Sequence, residues 1–420
     1  MKIGYACTPL TIGNKSTRSL TLKNFNEKVL IKLIEENLKE LLEILRYNES
    51  RGIKLFRISS NIIPLASHPI NTFKWWIHFK DELLNIGKYI KQNNMRVSMH
   101  PGQYTVLNSP KQEVLDKALE DLNYHCTFLD SLNLDYTHKI ILHVGGVYNN
   151  KDEALDRFIR NFNYLSLSCK KRLVIENDER CFSLDDVLYI SSLINIPVIF
   201  DNLHYKCYKN DSFYSLNEIL NKVSKTWGIN DGAMKVHYSQ QAFNKKIGSH
   251  SSTINIEEFI NYYNVAKNFD LDIMLEVKDK NISSIKCLNI INEIYYKEFN
   301  LQNFLLEKEK YSLVMESFNR AYFLKKQKLV LNKDNINFRT LYKLIDFTLN
   351  SVPLTNDYVS ASKNIWTSIS DIVSKRENSH FTNLIKEENL IKIRDYIYKI
   401  TRKYSNLIDL KLYNSYYYYY

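Results

Sequence analysis

A chain of 420 residues is long enough for a barrel-sized domain of roughly 250 to 300 residues plus a smaller appendage. Its net charge of +11, with 30 Tyr and 20 Phe, suits a polyanionic partner carrying bases that can stack, although biased genome composition produces the same excess. Six cysteines without a Cys-x-x-Cys pair argue against a disulfide framework or a thiolate zinc site and for a reducing, cytoplasmic setting. No run approaches the ~18 apolar residues of a membrane span, and no signal or targeting segment is visible.

Ile3-Gly4-Tyr5 reads as a first strand, and the helical period of Val29, Leu30, Leu33, Ile34, Leu38, Leu41, Leu42 and Leu45 completes a βα unit. Leu55 to Ile58 is the second strand, followed by a loop with His68 and an amphipathic helix from Trp75 to Gln92. Arg96 to Met99 and Lys139 to Leu142 are strands three and four, with helices over about 112–132 and from about Lys151. Arg172 to Ile175 is the fifth strand, after which Ser183 is suited to cap a helix. Val198 to Phe200, Met234 to His237 and Asp272 to Val277 complete the set, with intervening helices near 215–225 and 256–268. Short apolar strands alternating with helices predict a parallel (β/α)₈ TIM barrel over residues 1–295. From 300 to 420 the alternation gives way to helical runs, predicting a C-terminal helical extension whose closing tyrosines, Tyr416 to Tyr420, read as low-complexity disorder.

Strands of this predicted barrel end in residues that bind metals. His100 opens His-Pro-Gly-Gln-Tyr after strand three, and His143, Glu176, Asp201, His237 and Glu276 close later strands. His204 follows Asp201 by three positions, and His250 lies in a polar loop. Active sites of TIM barrels form at these carboxyl ends. Gathered in one pocket, five imidazoles and three carboxylates repel and desolvate one another unless cations compensate. A thiolate-free His/carboxylate set of this size suits two or three divalent ions such as Mn²⁺, Zn²⁺ or Mg²⁺. His78, His125, His138 and His380 lie on helices, before a strand or in the extension, and read as structural; His68 sits on a loop of the correct face. Lys235 shares its strand face with His237, where it pairs with a carboxylate, binds phosphate or is itself carboxylated into a ligand. Lys278 and Lys280 follow Glu276 and are either phosphate contacts or ordinary solvated charges.

The blocks Phe56-Arg57-Ile58-Ser59-Ser60, Pro64 to Pro69, His100 to Tyr104, Leu142 to Gly146, Ile175 to Glu179, Phe200 to His204, Lys235 to Ser239 and Leu275 to Lys278 occur in an order and spacing that resemble the UV damage endonucleases across residues 1–290. The resemblance implies a (β/α)₈ barrel that nicks DNA immediately 5′ to ultraviolet photoproducts, leaving a 3′-hydroxyl and starting excision repair, with a manganese-type cluster; Mg²⁺, Zn²⁺ or Co²⁺ are the alternatives. It implies His100, His143, Glu176, Asp201, His204, His237, His250 and Glu276 as ligands, and Lys235 as a carboxylated bridging ligand. Glu176, Glu276 and Lys235 form the expected catalytic set. Gln103 and Tyr104 would probe the duplex, with Tyr5 and His68 near the DNA; Lys278, as a phosphate-contact candidate read from its place past Glu276, joins the expected DNA-binding set. The sequence departs from the family where Ser252 replaces an Asp after His250, where Tyr205 replaces a second His after His204, and at Thr8-Pro9-Leu10, which lacks an Asn. The expected chemistry is metal-assisted hydrolysis by a monomer acting on damaged duplex DNA. A crosslinked dinucleotide stacks poorly and costs less to open, giving selectivity through deformability. An abasic-site endonuclease of the same barrel type and a metal-dependent sugar isomerase or epimerase are the competing readings.

Overall fold

The computed structural model describes residues 1–208, 214–330 and 336–420. Its barrel region runs β1 (Ile3–Ala6), α1 (Glu27–Ser50), β2 (Leu55–Ile58), α2 (Trp75–His78), α3 (Lys80–Gln92), β3 (Arg96–Met99), α4 (Gln112–Ser131), β4 (Ile140–His143), α5 (Lys151–Phe162), α6 (Leu167–Arg172) and β5 (Leu173–Glu176). It continues with α7 (Leu184–Ile194), β6 (Val198–Asp201), α8 (Asn202–Cys207), α9 (Leu216–Ser224), β7 (Met234–Tyr238), α10 (Ile256–Ala266), β8 (Leu271–Leu275) and α11 (Asn281–Ile291). The strands pair in parallel in sequence order and β8 closes on β1, so the fold is the (β/α)₈ barrel that the alternation predicts.

Local chemistry sets these boundaries. The strands are short apolar runs buried along nearly their whole length, as parallel strands covered on both faces must be. Asn26 and Asn150 accept N-terminal amides of α1 and α5, and Ser183 and Ser215 form capping boxes with Asp186 and Glu218. The helix expected over 75–92 is two helices, because Phe79 leaves helical geometry (φ −100°, ψ 28°) and buries its ring against Phe73.

Side chains two apart share a strand face, so the inward position before each strand-end ligand lies one level deeper. Ile141, Val174 and Ile199 fill that level and pack with Trp227. Toward the amino ends of the strands, Arg96 Nη1 donates to Asp272 Oδ2 at 2.9 Å and Lys139 Nζ to Asp231 Oδ1 at 2.5 Å. Arg172 there donates to the carbonyls of Leu134, Asp135 and His138.

The cysteine expectation is corrected. Cys126 of α4 and Cys169 of α6 form a disulfide across 43 residues, because two neighbouring helices bring together positions that no short spacing reveals. Among the described residues no helix is long and apolar enough to cross a membrane.

By internal contacts the chain divides into Met1–Ser251 with Ile260–Ile285, and Ser252–Phe259 with Lys286–Tyr420. The second unit thus starts earlier than the expected 300 and recruits a short piece of the β7–β8 connection. Lys286 Nζ explains this: it donates to the Ile254 carbonyl at 2.6 Å and pairs with Asp346, whose Oδ2 accepts from Ile256 N at 2.8 Å. The unit is helical, with α12 (Leu301–Val330, interrupted at Asn319), α13 (Phe338–Leu349), α14 (Thr355–Thr367), α15 (Lys375–Glu387), α16 (Leu390–Lys403) and α17 (Leu410–Tyr413).

The disordered tyrosine tail is a second correction. Tyr416–Tyr419 form a 3₁₀ turn, and Tyr416, Tyr417 and Tyr418 are buried. Their rings supply apolar area while their hydroxyls find partners: Tyr416 donates to Glu307, and Tyr417 bonds Ser362 at 2.7 Å.

Candidate metal centre

The carboxyl ends of the strands gather the ligand-type residues around Glu176. In the strand register His143 is opposite Glu176 and Asp201 opposite His237, which puts these side chains at one level. Glu176 Oε2 lies 3.3 Å from His100 Nε2 and 3.8 Å from His143 Nε2; Oε1 lies 2.8 Å from His237 Nδ1 and 3.6 Å from His204 Nδ1. Glu276 Oε1 is 3.3 Å from His237 Nδ1. The ring centroids of His100 and His143 are 5.1 Å apart, and those of His143 and His204 5.7 Å. Asp201 caps α8 through the amides of Leu203 and His204, and this one-turn helix, absent from the sequence reading, aims His204 at the cluster.

Among the described residues, two groups have donor atoms close enough to share a cation: His100, His143 and Glu176, and Glu176, Asp201 and His237. Glu176 belongs to both. Asp201 Oδ2 and His143 Nδ1 are buried without hydrogen-bond partners, so the donor set has capacity that a divalent cation would satisfy. With nitrogen and oxygen donors only, the set fits a hard or borderline ion.

The electrostatics fit the same role. Burial pushes His237 down to about 4 and also lowers His143, which favours the neutral imidazole that metal binding needs. Burial opposes ionisation of Glu176, but His237 and His143 outweigh it and hold the carboxylate well below its usual range. Glu276 is likewise held ionised against burial, by Arg57 and His237. Burial raises Asp201 to about 7, and Asp201 with Glu176 lifts His204 to about 9 despite its own burial.

Lys235 is fully buried in β7 on the face of His237, and burial beside Arg96 and Arg57 drives its amine far below the ordinary lysine range. Its Nζ has no hydrogen-bond partner. The sequence motif did not identify Arg57 as a site residue. Arg57 Nη2 is 2.9 Å from His237 Nε2 and 2.5 Å from Glu276 Oε1. It stands one residue before the end of β2, opposite Ser98 and so in the phase of His100. Glu179 was also missed; its Oε2 lies 3.9 Å from His204 Nε2.

The remaining expected residues occupy the rim. His250 is half-buried in a bridge with Gln241 and senses Glu276 and His204, but it falls in neither close group. His68, Gln103 and Tyr104 border a cleft of about 1120 Å³ that also reaches His100 and His143. Tyr104 is 83 % exposed. Lys278 is exposed just past Glu276. Tyr5 is corrected: it is fully buried and donates to Asn48 Oδ1 at 2.7 Å, because its strand phase turns it outward to α1 and leaves it no surface for DNA. Beside the cleft, Gly145 adopts φ +121°, and a Cβ there would meet Asn108 Oδ1 at 2.2 Å, so the turn after His143 requires glycine.

A family model described as UV-endonuclease UvdE matches residues 1–302. The chain is 49 % identical over 404 residues to the UV DNA damage endonuclease of Clostridium perfringens (strain 13 / Type A), covering 96 % of each sequence, so that likeness runs on through the helical extension. A UV DNA damage endonuclease of Bacillus cereus (strain G9842) is 32 % identical, over 70 % of this chain and 95 % of its own length. The crystal structure of SacUVDE matches with a TM-score of 0.67 and 43 % identity, covering 70 % of this chain and 99 % of that one. The barrel, its ring of His and carboxylate groups and these likenesses place the chain in the UvdE family of UV DNA damage endonucleases.

Proposed function

We propose that this protein nicks duplex DNA immediately 5′ to ultraviolet photoproducts by hydrolysis assisted by two or three divalent ions, with Mn²⁺ as the leading choice. The observation that carries the reading is the place of Glu176 in both close donor groups, one of which it shares with His100 and His143, residues that line the cleft. His100, His143, Asp201, His204, His237, His250 and Glu276 would complete the ligand set. When bound, such ions supply Lewis acidity and an activated water.

The chain's own residues do the rest. Glu176 and Arg57 hold the His237 ring: with Arg57 donating to Nε2, the ring proton sits on Nδ1 toward Glu176, and the Nε2 lone pair would pass from Arg57 to an ion. The unpartnered amine of Lys235, which burial holds far below the ordinary lysine range, is suited to carboxylation, in which nitrogen attacks carbon dioxide and releases a proton, giving a further anionic ligand. Exposed Tyr104 and neighbouring Gln103 would fill the gap left when a poorly stacked lesion opens, and Lys278 and His68 would meet the backbone.

The test is nicking of irradiated and unirradiated plasmid with Mn²⁺, followed by end-mapping on an oligonucleotide with one thymine dimer. Cleavage directly 5′ to the dimer, abolished by chelation and reduced at least about a hundredfold in Glu176→Gln, is expected. Equal nicking of both plasmids, or preference for an abasic analogue over the dimer, would count against it.

A further inference from the structure

The loops that border the cleft are tied to one carboxylate. On α4, Asp121, Tyr124 and His125 share a helix face. Asp121 Oδ2 accepts from Thr105 Oγ1 at 2.6 Å, and Oδ1 accepts from Ser67 Oγ at 2.9 Å. Thr105 directly follows Tyr104, and Ser67 directly precedes His68. Thr105 is buried, and its amide closes a turn on the Gly102 carbonyl at 2.9 Å, so Tyr104 is thrown outward from a fixed base. The neighbouring turn of α4 grips the same loops: Tyr124 Oη donates to the Ser60 carbonyl at 2.8 Å, and Ser60 Oγ, 2.9 Å from His125 Nε2, donates to the His100 carbonyl at 2.7 Å.

We infer that Asp121 is a positioning residue that yokes the His68 loop to the Gln103–Tyr104 loop and so fixes the wedge over the metal centre. This rests on the proposed action at DNA lesions. A carboxylate accepting hydroxyl hydrogens from both loops makes their separation rigid, and neither loop can move its tip without breaking a charge-assisted bond. Asp121 touches no reacting atom; its effect is on where Tyr104 stands when the duplex opens.

The experiment compares Asp121→Ala, Asp121→Asn, Thr105→Val and Ser67→Ala with wild type on a dimer-containing duplex carrying 2-aminopurine opposite the lesion. Metal stoichiometry and thermal unfolding are measured alongside. Asp121→Ala should lose roughly ten- to a hundredfold in kcat at saturating DNA, the scale of a misplaced reactive geometry, with wild-type metal content and a diminished 2-aminopurine signal. Asp121→Asn, whose amide bonds the same rotatable hydroxyls, should recover most of both. In the Asp121→Ala background, Thr105→Val and Ser67→Ala should add nothing. Wild-type kcat and fluorescence in Asp121→Ala and Thr105→Val would overturn the yoke, as would a loss that tracks metal content. A wild-type enzyme that fails to cut irradiated DNA would instead overturn the proposed function and the yoke with it.

Discussion

The guanidinium of Arg57 meets the carboxylate of Glu276 at 2.5 Å, in a pocket where Arg57 is only 8 % exposed. The same Nη2 sits 2.9 Å from His237 Nε2, so a buried cation of the protein faces the lone pairs that a divalent ion would use. Removing one partner of a buried pair strands the other, at a cost of about 3–5 kcal/mol. Arg57→Met is therefore expected to lower thermal stability in chelator, and added Mn²⁺ should restore more stability to the variant than to wild type. Differential scanning fluorimetry with and without Mn²⁺ checks this; equal metal-induced shifts would show that Arg57 does not share the ions' place.

Lys235 gives a prediction with opposite signs for stability and function. Its buried, unpartnered amine gains nothing from hydrogen bonding, so Lys235→Met, similar in length and apolar, should stabilise the metal-free protein by about 1–3 kcal/mol. If carboxylation makes the lysine a ligand, the same variant loses activity, and added bicarbonate raises wild-type activity but not that of the variant. Nicking rates across a bicarbonate series, with urea midpoints for both proteins, measure the two effects.

Much of this site is legible in the sequence because a barrel converts linear order into geometry. An apolar strand ending in His or Glu places that side chain at the mouth whichever strand it is, and period two assigns Lys235 to the face of His237. Arg57 escaped because an arginine inside a strand carries no ligand signal until its partners are known, and Glu276 is 219 residues away. The Cys126–Cys169 disulfide escaped because helix packing, not spacing, sets its geometry. Tyr416 to Tyr420 misled because a homopolymer run resembles low complexity, although each residue is also a large apolar ring whose hydroxyl can be buried once it finds a partner.

His138 ties stability to pH away from the metal centre. It is buried, and its Nδ1 accepts from Val97 N at 3.0 Å. Burial pushes its pKa from 6.5 down to about 3, partly opposed by Asp135 and reinforced by Arg96 and Arg172. The unfolded chain takes up this proton below about pH 6.5 while the folded chain stays neutral until about 3, so stability is full above 6.5 and falls as pH drops through that window. The slope approaches about 1.4 kcal/mol per pH unit for one proton. Asp135, whose pKa burial raises but Thr137 and His138 pull down on balance, adds in the same direction. Urea midpoints between pH 7 and 4 should fall less steeply in His138→Gln, which keeps an acceptor and loses the titration; parallel curves would refute the assignment.

The tyrosine end supplies the test of the helical unit. Tyr416 is buried against Tyr311 at a centroid distance of 4.7 Å, and its hydroxyl donates to Glu307 Oε1 at 3.1 Å, a carboxylate also paired with Lys310 at 2.9 Å. Tyr416→Phe keeps the ring and removes both the donor to Glu307 and the acceptor of Lys310 Nζ at 3.3 Å, an expected loss of about 1–3 kcal/mol. Tyr416→Ala also opens a cavity among aromatic rings, for which about 3–5 kcal/mol is expected. Deleting Tyr416–Tyr420 takes away Tyr417 and Tyr418 as well, both buried, so its cost should exceed that of either point variant. Protease susceptibility within 301–413 should rise in the order Tyr416→Phe, Tyr416→Ala, deletion. Wild-type resistance in the deletion would mean that these rings, though buried, hold nothing in place.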